Sequence, residues 1–541
     1  MRFSGRTASL AATLLIILAV HLAVAWQDVA TLSRNGFLYD DSFYSFKIAQ
    51  NIAAGKGPTF DGEHSTSGFQ PLYVFMLVPI YRLTGQDSIL PIRIALSLLA
   101  ILTCLTAWLL YLIARRSVGF KIALAAAAVW GLSPVVLRQG TNGLETAVAT
   151  FMIAASFYYY LTRVRTAEAP SMARFLVLGL LLGLAVLSRI DALLLVLVVF
   201  LDYLLLLRKR SGSARLAARL VLVGLGVAVL YGPWLAFCVS ESGSPLQDSG
   251  SAIRYLSLAY APYFHNGSSD LVASGPDASF VWGQVMHSLG ILKLIPPLHV
   301  VFRSLERVGA ALGWGGTTRP VANIAGLAAL AGFIWMVIRW RRNERRARRS
   351  EIEPLLLFSA LLIASYSLYV FGAFYFIRYF YPIYFVATLY GAFLMQDLYT
   401  WYLARGRALR LAAISAAVAY TALFGGFGYS QAFRSKLLYP FYDVAGWVNE
   451  NTGKDETIGV FQCGTIGYLC HRRVIDLDGK VNRAALAALK SGRLESYIRD
   501  EKIDVVLDHA KVIEIFLGDT PEKTGASCSE VIPKTLASYE Q

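Results

Sequence analysis

Charge is scarce in this 541-residue chain. Only 16% of its residues are Asp, Glu, Lys or Arg, against about a quarter in ordinary soluble proteins, while 56% are hydrophobic. So little charge cannot give each apolar run a solvated face, which excludes a single soluble globule. Acidic residues are the rarer sign: 35 Asp and Glu against 50 Lys and Arg, a formal net charge of +15. That excess does not point to nucleic acid. Most of the Lys and Arg fall in short clusters between apolar runs, where the positive-inside rule expects them. Cysteine is also rare, with five in the chain, and no Cys/His spacing fits a zinc site. The internal repeats and midplane charge pairs common among transporters do not stand out either.

What the chain has is apolar runs, many reaching the ~20 residues that cross a bilayer. Spans are expected at 8–28, 90–114, 119–137, 144–162, 173–187, 191–207, 215–238, 320–340, 354–374, 379–399 and 408–428. The first follows Arg2 and Arg6, but Val24-Ala25-Trp26 is a poor cleavage site, so it is read as a retained span. With about eleven spans, five basic connections share the cytoplasmic side with the N-terminus. These are Arg115/Arg116/Lys121, Arg163/Arg165/Arg174, the cluster Arg208 to Arg219, Arg339 to Arg349, and Arg405/Arg407/Arg410. The opposite side receives 29–89, 138–143, 188–190, 239–319, 375–378 and the tail from about 430. The run 69–84 is only ~14 residues and is interrupted by Pro71 and Pro79, which suits an interfacial helix better than a span. The expected fold is therefore an α-helical polytopic membrane protein over 1–430, with two juxtamembrane helices (41–54 and 69–84) in its first external loop. A small α/β extracytoplasmic domain over 431–541 completes it.

The first loop holds the most informative pair, Asp40 and Asp41, just outside the membrane. Phe43, Phe46, Ile48/Ala49 and Ile52/Ala53 form one helical face. One of the two Asp is expected to cap that helix, and Gly55 with Gly57-Pro58 to end it. Both acids then meet the positive end of the helix dipole, which favours the ionised form that a general base needs. In the tail, a helix at 441–450, strands at 457–461, 473–479 and 503–508 and helical pattern over 482–500 give the α/β alternation. Cys104 and Cys238 lie in spans as small apolar residues. Cys463, Cys470 and Cys528 lie outside, where a Cys470–Cys528 bridge is permitted.

The stretch Tyr39-Asp40-Asp41-Ser-Phe-Tyr-Ser-Phe-Lys-Ile-Ala-Gln-Asn-Ile resembles the first external loop of the GT-C superfamily of integral-membrane glycosyltransferases. Within it, the similarity is to the bacterial branch that includes the mycobacterial terminal arabinofuranosyltransferase. Thr141-Asn-Gly-Leu-Glu-Thr-Ala, Leu187-Ser-Arg-Ile-Asp191, and Gly464-Thr-Ile-Gly-Tyr with Arg473-Val-Ile-Asp-Leu-Asp-Gly look like three further stretches of that branch. The Ser-Thr-Ser-Gly-Phe-Gln-Pro stretch after His64 departs from it, so pentose and hexose donors both stay open.

The resemblance implies a polyprenyl-phosphate sugar (decaprenyl phosphate among the carriers) as donor, a glycan or glycolipid hydroxyl as acceptor, and inversion at the anomeric carbon. It implies Asp40 as the base. Asp41 would bind acceptor hydroxyls or a divalent cation, Mg or Mn, or no metal at all. The leaving phosphate needs cations; Arg378, Arg189, Arg138 and Lys47 are the candidates. Tyr39, His64, Glu145 and Asp191 are expected to face substrate. The expected setting is a bacterial inner membrane with catalysis on its outer face, and no nucleic acid partner. A flippase for lipid-linked saccharides, a transferase acting on protein or lipid A-like acceptors, and a non-catalytic envelope scaffold are the competing readings.

Overall fold

The computed structural model describes residues 5–85, 89–207, 213–264, 350–369, 377–403, 441–517 and 527–529. The expected spans 320–340 and 408–428, the basic cluster Arg339 to Arg349 and most of the loop 239–319 lie outside them. The helices before the tail are α1 (Gly5–Ala25), α2 (Val29–Arg34), α3 (Asp40–Ala53), α4 (Pro71–Thr84), α5 (Leu90–Ala114), α6 (Phe120–Gly131), α7 (Pro134–Gly140), α8 (Thr146–Tyr159), α9 (Met172–Ser188), α10 (Leu193–Leu207), α11 (Ser213–Ser242), α12 (Asp248–Phe264), α13 (Glu353–Tyr369) and α14 (Tyr381–Leu403).

The chain is a helical, multi-pass membrane protein. Among the described residues, α1, α5, α11 and the segment Ser350–Tyr369 are long and apolar enough to cross a bilayer, and α6 with α7, bent by 56°, would form a fifth span. The bend falls where Ser133 caps and Pro134 begins the second helix, since proline suits a first helical position. Val221, Leu225 and Val229 of α11 recur four apart and stay exposed, as a lipid-facing stripe would. The opposite side of α11 packs on α9 through glycines: a methyl on Gly179 would lie 2.3 Å from the Val223 carbonyl oxygen. Small residues that let backbones approach are the usual means of helix packing in lipid. α4 is 14 residues long, too short to span. One expectation about connections changes: α11 runs on to Ser242 and α12 follows at once, so 239–264 is mostly helical rather than loop.

The tail contributes α15 (Phe441–Asn451), β1 (Thr457–Val460), α16 (Gly464–Leu469), β2 (Arg473–Asp476), α17 (Arg483–Lys490), α18 (Leu494–Asp500), β3 (Val505–Leu507), α19 (Ala510–Leu517) and β4 (Ser527–Ser529). The strands form one parallel sheet in the order β2-β1-β3-β4. The helical pattern over 482–500 breaks in two at Gly492, whose φ is +65°. Side chains alternate across a strand, and here the alternation separates two cores. Ile458, Val460, Val474, Val505 and Leu507 join the core that continues into α3, α4 and the membrane helices. Ile475 and Val506 join a second core with Leu486, Ile498 and Leu517, which Ala252 and Leu256 of α12 also enter. The sheet is thus held against the first loop by one face. The Cys470–Cys528 bridge is not formed. Cys470 is a buried free thiol beside β2, while Cys528 pairs with Val506 at the opposite edge. Three strand spacings, roughly 14 Å, lie between those edges, beyond the reach of a disulfide.

Candidate active site

The site is organised by the first turn of α3. Tyr39, in extended backbone geometry, is the residue that caps this helix; Asp40 and Asp41 are its first two helical residues. The cap expectation therefore shifts by one position, though both carboxylates still sit at the positive helix end. The expected single apolar face is also corrected. Ser42 to Phe46, Ile48, Ala49 and Asn51 are all buried, because the tail packs on the side that a membrane-surface helix would leave wet. Tyr468 of α16 lies against the rings of Phe43 and Phe46, with centroids 5.6 and 6.1 Å away, and its hydroxyl accepts from Tyr81 at 2.9 Å.

The two acids face different surroundings. Asp40 turns to the tail, where the Thr465 N–H donates to its Oδ1 at 2.7 Å and the Gly464 N–H to its Oδ2 at 3.2 Å. Residue 464 has to be glycine: a methyl there would lie 2.2 Å from the Asp40 carbonyl oxygen. Burial pushes the Asp40 carboxyl up to about 7, with Asp41 adding to the rise and the Thr465 N–H opposing it. Asp41 turns the other way, into a cavity of about 400 Å³. Arg378 donates to its Oδ2, and the Lys480 ammonium stands 4.0 Å from its Oδ1. Burial would raise the Asp41 carboxyl, but Arg378 and then Lys480 prevail and hold it below the usual carboxylate range.

Three elements close the cavity around Asp41. Arg189, at the turn after α9, donates to Glu145 at 2.9 Å, to Asp191 at 2.8 and 3.0 Å, and to the Tyr366 hydroxyl at 2.6 Å. Tyr366 stacks on Tyr379 at 4.6 Å, and both Arg189 and Arg378 lie over the Tyr379 ring, at 5.4 and 5.3 Å. The start of α12 forms another wall. Asp248 accepts from the Ser67 N–H and hydroxyl, each at 2.9 Å, and Gln247 donates to the Phe69 carbonyl at 2.8 Å. The Ser-Thr-Ser-Gly-Phe-Gln stretch is thus a seam that fixes this wall. Phe69, Leu144, Ile190, Leu193, Leu194 and Ile253 line the rest, so an ionic end and an apolar end share one space.

Of the residues expected at the site, Asp41, Glu145, Arg189, Asp191 and Arg378 line this cavity. Five others do not. Asp40 and Tyr39 stand behind it as described. Arg138 donates to the Gly36 carbonyl at 3.1 Å. Lys47 lies further along α3, where burial lowers its ammonium pKa and Cys470 is a neighbour. His64 is held by Asp61 at 2.5 Å, with Glu501 of the tail at 3.3 Å. Sequence reasoning missed Lys480. A signal existed, because ligands of open parallel sheets bind beyond the carboxyl ends of the strands. Cys463 and Gly464 follow β1 and Lys480 follows β2, so those ends are what meet α3 and the cavity.

Residues 67–237 match the family described as dolichyl-phosphate-mannose-protein mannosyltransferase, less than half of the chain. Residues 426–540 match a family described as a domain of unknown function. No curated protein matches the chain. Among solved structures, the oligosaccharyltransferase AglB from Archaeoglobus fulgidus, in complex with an inhibitory peptide and a dolichol-phosphate, is 16% identical with a TM-score of 0.54, over 92% of this chain and 69% of that one. ArnT from Cupriavidus metallidurans, bound to undecaprenyl phosphate, is 13% identical with a TM-score of 0.50, over 95% of this chain and 89% of that one. This chain has their fold. At these identities the likeness is one of architecture, and the chemistry has to be argued from the residues.

The donor set does not fit a divalent cation at Asp41. Its two oxygens already face two cations, and among the described residues no group of three or more His, Cys, Asp or Glu side chains is placed to hold a metal ion, as a hard-cation cage requires.

Proposed function

We propose that the chain is an inverting glycosyltransferase that moves a sugar from a polyprenyl-phosphate donor to an acceptor hydroxyl on the external face of the membrane. The observation that carries this reading is the joint placement of one ionised carboxylate, Asp41, and a cation, Arg378, at the polar end of a partly apolar cavity. A general base must first reach the proton it removes, and only then does its pKa matter. On that ground Asp41 is the base, although the Asp40 value near 7 would suit the task. Asp41 takes the proton of the acceptor hydroxyl as its oxygen attacks C1. The bond between C1 and the phosphate oxygen breaks, and its electron pair leaves with polyprenyl phosphate.

Negative charge grows on the departing phosphate, so a fixed guanidinium stabilises the transition state more than the ground state. Arg378 supplies it. Arg189 is committed to Glu145, Asp191 and Tyr366 and acts as the fixed wall of the site. The apolar side chains suit the first isoprene units of the carrier. AglB and ArnT were solved with lipid phosphates of this class, which supports a lipid-phosphate donor. The resemblance of the first loop to the arabinofuranosyl branch makes a pentofuranosyl donor one member of the set to test.

The test is product formation by purified protein from synthetic polyprenyl-phosphate pentoses and hexoses, with saccharide, glycolipid and peptide acceptors. A glycoside of inverted anomeric configuration, formed together with free polyprenyl phosphate, is expected. Movement of lipid-linked sugar across vesicles without any glycosidic product would contradict the reading and favour a flippase.

A further inference from the structure

Lys480 comes from outside the membrane helices, yet it lines the cavity they form. Its position is built in detail. Asp476, at the end of β2, accepts from the Asp478 N–H at 3.1 Å and the Val481 N–H at 2.8 Å, and Asp478 accepts from the Lys480 N–H at 3.0 Å. The Lys480 carbonyl sits so close to Gly68 that a methyl on that glycine would meet it at 2.0 Å. The side chain is 13% exposed and passes over the Tyr44 ring, 5.7 Å from its centroid. A lysine on the outside of a membrane protein normally extends its ammonium to water. This one is turned inward by a rigid turn.

Its partners show what it can still do. An ammonium has three donors. Asp478 takes one at 2.7 Å, and Asp41 at 4.0 Å is an ion pair beyond hydrogen-bond length. Capacity remains for the oxygen of an anion placed between Lys480 and Arg378. We infer that Lys480 is a donor-phosphate ligand supplied by the tail, and that it and Arg378 exchange Asp41 for the phosphate when the donor binds. The inference rests on the lipid-phosphate reading of the cavity. Asp41 and the phosphate then compete for the same two cations. Donor binding withdraws counter-charge from Asp41 and raises its affinity for the acceptor proton at the step that needs it. The transferase site is incomplete without the tail.

The experiment is equilibrium binding of labelled undecaprenyl phosphate, with the uncharged alcohol undecaprenol as control, to purified full-length protein. Wild type, Lys480→Met, Lys480→Arg and Asp41→Asn are compared. Lys480→Met should weaken phosphate binding ~10- to 100-fold, as loss of a charge-assisted bond does, and leave undecaprenol unchanged. Lys480→Arg should keep most of the affinity. Asp41→Asn should bind the phosphate more tightly than wild type, because the internal competitor is gone. Wild-type affinity in Lys480→Met, an equal loss for undecaprenol, or weaker binding by Asp41→Asn would overturn the inference. A wild-type protein that does not prefer the phosphate over the alcohol would instead overturn the donor reading itself.

Discussion

The cavity side and the tail side of α3 begin at neighbouring residues and are made of different materials. On the cavity side, Asp41 meets Arg378 and Lys480, two cations that hold it ionised. On the tail side, Asp40 meets the backbone N–H groups of Gly464 and Thr465, with no cation at bonding distance among the described residues, and burial pushes it up to about 7. Successive residues of a helix point about 100° apart, so a pair of adjacent acids serves two surfaces rather than one. The two acids do different jobs: one carboxylate faces the cavity, and the other docks the element that carries Lys480.

The cavity wall carries the largest expected effect. Arg189→Met leaves the buried Glu145 and the partly buried Asp191 without their cation and should cost about 3–5 kcal/mol, read as a large fall in the thermal unfolding midpoint in detergent. An unchanged midpoint would mean that the wall is not held by this ion cluster. Next in size is the dock. Gly464→Ala drives a methyl into the Asp40 carbonyl and should cost ~1–3 kcal/mol of overpacking, seen as faster protease cleavage of the tail and a parallel loss of transfer. Cleavage at the wild-type rate would show that the close approach is not needed.

Asp40→Asn sharpens the contrast through pH. The folded-state value near 7 exceeds the unfolded 3.8, so the folded protein holds a proton that the unfolded chain has released. The stability from that proton is complete below pH ~3.8 and is lost as pH rises through about 7. Asp40→Asn should flatten the fall in unfolding midpoint between pH 5 and 8, and an unaltered slope would contradict the burial argument. The smallest effect belongs to His64. Asp61 raises its pKa against the opposing effect of burial, so its contribution is present below pH 6.5 and lost as pH rises through the raised folded value. His64→Gln should cost under ~1 kcal/mol at pH 6 and leave transfer intact; a large loss of transfer would place His64 in the site after all.

Much of this architecture is legible in the sequence, for physical reasons. Run length and Pro71 with Pro79 mark α4 as a non-spanning helix, and the change from apolar runs to alternating short elements marks the sheet. Charge bias predicts that Arg378 and Asp41 share one side of the membrane, and the structure joins them despite the 337 residues between them. Rotation about a helix is what composition does not reveal. Which of Asp40 and Asp41 faces the cavity depends on where α16 packs, and that depends on Gly464. Loop membership misleads in the same way: charge bias assigns His64, Lys47 and Arg138 to the same side as Asp41, but Asp61, the Cys470 neighbourhood and the Gly36 carbonyl hold them elsewhere. Lys480 is hidden because its chemistry comes from a turn that the sheet carries to the cavity.

The central claim is that Asp41, and not its neighbour, acts on the acceptor. It is tested most directly by initial rates of sugar transfer for Asp41→Asn and Asp40→Asn beside wild type, at saturating donor and with unfolding midpoints recorded for each. A loss of about 10²–10⁴-fold is expected for Asp41→Asn, the range of a positioned general base, and at most about tenfold for Asp40→Asn. The opposite order, in folded proteins, would contradict it.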